Sequence, residues 1–445
     1  MFRIRSNHSL LLTWIIIVLM IPGCIPRSAF NEEYVSGRVQ ERSGYEMNYL
    51  PGESFAIPSG VDNEDGVTMD EAVMLSLWNN PRLKADLSAL GFARADLMDA
   101  GMLPNPVFSF LFPLGPKQME FTLSYYAGVL WQRPSRVSAA KLNVEKIAEN
   151  LVSNGLATIR DVMTDYAELE KLTEQAGILE EASKISNEIA FIAASRREAG
   201  DIGELEETAF RLNASQAREA YLNAVKLKEL QKTLLLTKIG LITENSELQI
   251  TPEPLPAVNI SEFDTLVKRA LAFRPDIRAA EIEVEMAGKK LGWEQSKILN
   301  LTAMLDANAQ GSQGFEMGPG VALELPIFNT NQGGRSRART GMILAADNYV
   351  MVQQKVTGEV RDAWYSYIAA KETYQMIAED ISPAAEVAAL SGESVYNSGE
   401  ISYLEYLTFR SQLLNARLRL AAARTELWRS LAKLYYSVGG KLNLQ

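Results

Sequence analysis

The chain has 445 residues, a formal charge of −11 and 47% hydrophobic residues, with one cysteine and one histidine. Those two are Cys24 and His8, so intrachain disulfides are impossible, and if His8 leaves with a cleaved N-terminal signal the mature chain has no histidine for a thiolate–imidazole metal centre or a Ser-His-Asp triad. The acidic balance does not suit a nucleic-acid binder.

The chain opens with Arg3 and Arg5, followed by an apolar run from Leu10 to Ile21 that only Thr13 interrupts. The run is shorter than the ~20 apolar residues that a permanent membrane helix needs. A basic start, a short apolar core and a small residue before the cut make up a secretory signal over residues 1–23. Ile21, Pro22, Gly23 and Cys24 resemble a bacterial lipobox. That resemblance implies acylation of Cys24, palmitate included, and Ile25 in place of Asp favours outer-membrane sorting. An ordinary signal peptide cut elsewhere is the alternative. Residues 24–66 carry several Gly and Pro with little periodicity and are expected to form an extended strap from the anchor.

The chain is written twice. Residues 68–97 laid over 262–291 bring Asp70, Val73, Leu77, Pro81, Ala85, Ala93 and Leu97 onto Asp264, Val267, Leu271, Pro275, Ala279, Ala287 and Leu291. Each copy reads as a short helix, a break before proline, and a second amphipathic helix. Proline biases the preceding residue away from helix and is itself tolerated at a helix start. The repeats are expected over 67–250 and 261–440, with an extended Pro-rich linker at 251–260.

Strand-like runs follow each copy, forming hairpins at about 105–131 and 299–328. Leu301, Ala303, Leu305, Ala307 and Ala309 alternate with Asn300, Thr302, Met304, Asp306, Asn308 and Gln310. Phe121, Leu123, Tyr125, Val129 and Trp131 alternate with Thr122, Ser124, Tyr126 and Gly128. A period of two with one apolar and one polar face predicts a two-faced sheet. Runs of ~9–11 residues suit tilted transmembrane strands. Four strands cannot close a barrel, and lipid does not tolerate open edges. Either they complete a soluble sandwich or several chains pool them. Asp306, Asn308 and Gln310 face a lumen if Leu305 and Ala307 face lipid. Tyr125, Tyr126 and Trp131 suit either a membrane interface or subunit packing.

Long helical hairpins come next, at about 135–240 and 335–438, with Pro383 as a bend. Val137, Ala140, Val144, Ile147 and Leu151 recur at three-four spacing. At 1.5 Å per residue, a helix of ~64 residues reaches about 95 Å, which implies a coiled-coil-like assembly.

In this order of elements the chain resembles the outer-membrane efflux protein family, TolC-like, in its lipid-anchored form. Ala100, Gly101, Met102, Leu103, Pro104, Asn105 and Pro106 resemble especially the heavy-metal-efflux branch. Leu325, Pro326, Ile327, Phe328 and Asn329, followed by Gly333, Gly334 and Arg335, resemble the family's passage from its last strand into a long helix. The resemblance implies a mainly α fold with a membrane β-barrel. Three chains would each give four strands to one closed, even-numbered barrel of twelve, continued by a long periplasmic α-helical barrel. It implies a homotrimer in the outer membrane, anchored in its lipid, with a periplasmic adaptor and an inner-membrane transporter as partners. It implies no catalytic residues, no cofactor and no metal site. The cargo, metal ion or other small molecule, is left open.

The helical turns coincide at an offset of 199, with Gly200, Ile202 and Leu205 over Gly399, Ile401 and Leu404. Each glycine suits a helix end with positive φ. The resemblance makes these turns the periplasmic tips that dock the adaptor. It also makes Glu206 and Glu405, six residues after each glycine, candidates for an acidic gate. The plainer reading is that such carboxylates stabilise a helix N-terminus by ~0.3–1 kcal/mol. A coiled-coil scaffold lipoprotein without channel activity is the alternative function, and a carboxylate-dependent hydrolase finds no paired acids to rest on.

Overall fold

The computed structural model describes residues 26–48, 55–61, 66–112, 119–241, 249–256, 258, 260–309 and 314–441. Helix α1 spans Glu32–Ser43, α2 Met69–Asn79, α3 Pro81–Gly101, α4 Val129–Glu198 and α5 Glu204–Ile239. Helices α6 (Phe263–Phe273), α7 (Pro275–Ser296), α8 (Gln332–Met376), α9 (Ser382–Asn397) and α10 (Tyr403–Ser437) complete the helical set. The strands are β1 (Val107–Leu111), β2 (Met119–Tyr126), β3 (Asn300–Ala309) and β4 (Phe315–Glu324). Among the described residues no helix is long and apolar enough to cross a membrane.

The described residues fall into two compact units. One contains Ser88–Glu149 and Arg278–Met351, and therefore the whole sheet. Its strands run β1-β2-β3-β4, each antiparallel to the next, so β1 and β4 are edges. At the C-terminal end of α3, Arg133 donates to the Gly101 carbonyl at 2.8 Å, and Arg136 donates to the carbonyls of Ala100 and Met102, each at 2.8 Å. Carbonyls that the last helical turn leaves without amide partners are satisfied this way.

The other unit contains Glu32–Leu87, Asn150–Ile277 and the chain from Val352 onward. Its core includes the fully buried Val35, Val39, Leu75, Tyr166, Leu235, Ile239 and Leu434. Tyr166 places its hydroxyl 2.8 Å from the Val67 carbonyl and 2.7 Å from that of Thr251, beside the isolated bridge between Val67 and Ile250. The duplication persists in the helix ends. Helices α5 and α10 stop at Gly240 and Gly439, both in the left-handed region. The amide of the residue after each glycine reaches back to a carbonyl five residues earlier, Leu236 and Tyr435. A Cβ at Gly240 would stand 2.7 Å from the Asn79 carbonyl oxygen, and one at Gly439 would stand 3.2 Å from Arg274 Cγ. Each half thus seats its last helix end on the break between its own two short helices.

Three expectations are corrected. The second strand ends at Tyr126 rather than running to Trp131, and α4 begins at Val129 with Pro134 inside it. Trp131 instead donates its indole N–H to the Ser296 carbonyl at 3.2 Å. The last strand stops at Glu324, short of Phe328, because Pro326 has no N–H to extend the ladder. Residues 24–66 are not wholly extended: α1 forms there and packs Val39 against Gly155, where a Cβ would lie 2.9 Å from Val39 Cγ2. At the bend expected near Pro383, a π turn, Ile377–Ile381, precedes α9.

Candidate functional site

The sheet separates two chemistries. In register, Ser109, Thr122, Asp306 and Gly318 lie opposite one another across the four strands. The neighbouring row on the same face is Leu111, Glu120, Asn308 and Glu316. This face also carries Ser124, Tyr126, Asn300, Thr302 and Glu324. Side chains alternate across a strand, so the other face carries Phe108, Phe110, Phe121, Leu123, Leu301, Leu305, Val321 and Leu323. Phe110 stacks on Phe121 with ring centroids 4.6 Å apart.

The polar face is internally bonded. Thr122 donates to Asp306 at 3.0 Å, and the Asn308 amide donates to the same carboxylate at 2.8 Å. Tyr126 donates to Asn300 at 2.7 Å, and Asn300 donates to Glu324 at 2.6 Å. Asp306 and Asn308 therefore share one face while Leu305 and Ala307 share the other, as their alternation predicts; Gln310 lies outside the described residues. Tyr125 belongs to the apolar face and Tyr126 to the polar one.

The helical turns form in the second unit. Gly200 and Gly399 have φ of +85° and +82°. The amides of Asp201 and Glu400 bond the carbonyls of Arg196 and Val395, while the glycine amides bond Arg197 and Tyr396. This doubled closure satisfies two carbonyls at each helix end. Ile202 and Ile401 are half-buried. Leu205 is 86% exposed and Leu404 39%. Leu404 lines a groove of about 290 Å³ with Ile189, Phe210, Leu407 and Thr408, so residues beside both turns share one concavity.

Glu405 closes a capping box: its carboxylate accepts from the Ser402 amide at 2.8 Å and from the Ser402 hydroxyl at 2.9 Å. Those two donors hold its pKa below the usual carboxylate range. Glu206 is exposed in the first turn of α5. Beside it, Arg197 pairs with Glu207 and lies 3.8 Å from Glu204. Tyr403, which sequence reasoning passed over, donates to Glu188 at 2.7 Å and packs with Tyr396 and Tyr406. Burial, followed by that carboxylate, pushes the Tyr403 hydroxyl up to about 12. Below it, Leu407 and Leu414 close a core with Ile178 and Ile185 of α4. Cys24 lies outside the described residues. Among the described residues no group of His, Cys, Asp and Glu is arranged to hold a metal ion.

Residues 266–440, which include β3, β4 and the second helical hairpin, match the outer membrane efflux protein family model. Over those residues, fewer than half of the chain, the sequence is similar to that family. The cobalt-zinc-cadmium resistance protein CzcC of Cupriavidus metallidurans is 23% identical over 360 residues, covering 79% of this chain and 85% of the relative. Among solved structures, the outer-membrane channel OprN superposes with a TM-score of 0.68 at 19% identity, covering 84% of this chain and 90% of its own. The CmeC outer membrane channel of Campylobacter jejuni gives 0.68 at 21% identity, covering 88% and 90%. CusC gives 0.66 at 17% identity, covering 90% and 99%. The fold is thus that of the TolC-like outer-membrane channels. The family's members are trimeric outer-membrane channels that work with adaptors and inner-membrane pumps.

Proposed function

We propose that three copies of this chain form the outer-membrane exit duct of a tripartite efflux system. The duct is passive: an inner-membrane transporter supplies energy and a periplasmic adaptor joins the two. The observation that carries this reading is the sheet, with an apolar face, a polar face and two unpaired edges. In hydrocarbon, unpaired strand edges are too costly to persist, and pooling sheets into one closed barrel removes them. The apolar face then meets lipid and the polar face meets water. Acylation of Cys24 anchors the chain to the same membrane.

The turns at Gly200 and Gly399 are the adaptor-docking tips, with Ile202, Leu205, Ile401 and Leu404 as the contact residues. The groove beside Leu404 and Phe210 and the exposure of Leu205 support this assignment. Glu206 is the better placed of the two gate candidates, since the Glu405 carboxylate is engaged by Ser402. The similarity to CzcC favours metal cations among the cargo. Single-channel recording of the purified, lipidated protein in planar bilayers tests the duct. Stable conducting events carried by a trimeric species are expected. A correctly assembled trimer that stays silent after removal of both tips would favour the scaffold instead.

A further inference from the structure

Between α7 and α8, wholly within the unit that holds the sheet, lies a cleft of about 540 Å³. Lys290, Trp293 and Arg337 line it, and Ala338 and Gly341 keep its α8 wall short. Its two carboxylates are already engaged. Glu283 pairs with Lys146 at 3.7 Å, and Glu294 accepts from Lys297 and, at 2.8 Å, from the Asn331 amide. The Lys297 ammonium also sits 4.1 Å from the centroid of the Trp293 ring. Three donors are left over. Among the described residues Lys290 and Arg337 form no ion pair of their own, and the Trp293 indole N–H is buried without an acceptor. Buried donors in native proteins are rarely unsatisfied, so an acceptor from outside the chain is called for. The wider surroundings have the same sign. The whole chain carries −11, yet Arg335, Arg337 and Arg339 open α8 with no acidic residue before Asp347, and Lys289 and Lys290 are exposed on α7.

Resting on the duct reading, which puts the sheet in lipid, we infer that this cleft holds the phosphate of an anionic phospholipid. Its place in the chain selects a lipid over other anions. Helix α7 ends at Ser296, just before β3 begins at Asn300, and α8 begins at Gln332, just after β4 ends at Glu324. The cleft therefore adjoins the end of the sheet where its apolar face stops. Leu325, Ile327 and Phe328, between β4 and α8, are exposed, Phe328 by 94%. Exposed apolar side chains beside unpaired cations match the two parts of a phospholipid. The apolar residues meet acyl chain, while Lys290, Arg337 and the Trp293 indole donate to phosphate. A free anion would use the cations and leave the apolar residues bare. A zwitterionic lipid brings its own cation beside the phosphate and gains less from Lys290 and Arg337.

The test is native mass spectrometry of the purified, lipidated trimer in detergent, titrated with phosphatidylglycerol and with phosphatidylcholine of the same acyl chains. Wild type is expected to bind phosphatidylglycerol about tenfold more tightly, and K290Q/R337Q to show less than about a twofold preference. Trp293→Phe keeps the ring and removes the donor, and is expected to weaken phosphatidylglycerol binding about threefold. K226Q, on α5 in the other unit, is expected to change nothing. Equal binding of the two lipids by a wild-type trimer that conducts overturns the inference and leaves the duct standing. A wild-type trimer that stays silent in bilayers with both tips removed overturns the duct and the inference with it. A preference retained in K290Q/R337Q places the lipid elsewhere and overturns the inference. Displacement of bound lipid by millimolar inorganic phosphate assigns the cleft to free anions and does the same. Should the double variant fail to assemble, K290Q and R337Q decide singly: each is expected to lower the preference about threefold, and two unchanged preferences overturn the inference.

Discussion

The guanidinium of Arg274 is buried 2.6 Å from Asp276 and 2.5 Å from Glu359, with the Tyr436 ring centroid 5.1 Å away. It also donates to the Ser437 carbonyl at 3.3 Å. One cation in the break between α6 and α7 therefore ties together α8 and the end of α10. Removing one member of a buried pair strands the other charges, at about 3–5 kcal/mol. Arg274→Ala is expected to destabilise by that amount, and Arg274→Lys by less, because lysine keeps the charge while losing only the bidentate geometry. Denaturant unfolding of the solubilised protein measures both.

The two turn glycines and the two base glycines should respond differently to alanine. At Gly200 and Gly399 an added Cβ meets nothing within 4 Å, so only the positive φ is penalised, at about 1 kcal/mol each. At Gly240 the same change also drives a methyl to 2.7 Å from the Asn79 carbonyl oxygen. Gly240→Ala is expected to lower the melting temperature clearly more than Gly200→Ala. Equal shifts would show that the contact with Asn79 relaxes freely.

Ser402→Ala removes an N-cap hydroxyl and should cost about 1 kcal/mol. The Glu405 carboxylate has a lowered pKa from its bonds to Ser402. Its stabilising contribution is therefore complete above the unfolded carboxylate value and lost as pH falls through the folded one. Glu405→Gln is expected to lower the melting temperature at neutral pH and to flatten the acid limb, so that the two profiles converge at low pH. A selectivity change in the same variant would instead assign Glu405 to the gate.

Tyr403 carries the opposite sign. Its hydroxyl titrates at about 12, above the usual tyrosine range, so the contribution is full below pH 10 and is lost as pH rises through 12. The difference in melting temperature between wild type and Tyr403→Phe is expected to shrink over that interval. A constant difference would mean that the bond to Glu188 adds nothing.

Docking can be tested at the paired leucines. Leu205→Asp with Leu404→Asp is expected to weaken capture by the cognate adaptor at least tenfold, roughly the loss of one buried hot spot. Conductance of the duct alone should be unchanged. Unaltered capture would place the docking surface elsewhere.

How much of this was legible depends on what marks each feature in the chain. The alternation in β3 gave both faces of the sheet because every second residue from Leu301 to Ala309 is apolar. The prolines at 81 and 275 and the glycines at 200 and 399 gave the breaks and turns, since few residue types fit those backbones. The start of α4 was not legible: Val129 and Trp131 continue the period of β2, and no local cue separates a strand from a helix there. Helix α1 was also hidden, because its inward contacts rest largely on Val35 and Val39, one turn apart. The stop after Glu324 had a signal in Pro326 that the alternating apolar run masked. The capping box was present as Ser402 and Glu405, but only the geometry shows that the carboxylate is engaged there.

The π turn at Ile377–Ile381 has a consequence for the duplicated architecture. A turn that holds an extra residue shifts the angular phase of everything after it by about 100°. The outgoing arm of the second hairpin therefore presents a different stripe from that of an uninterrupted helix such as α4.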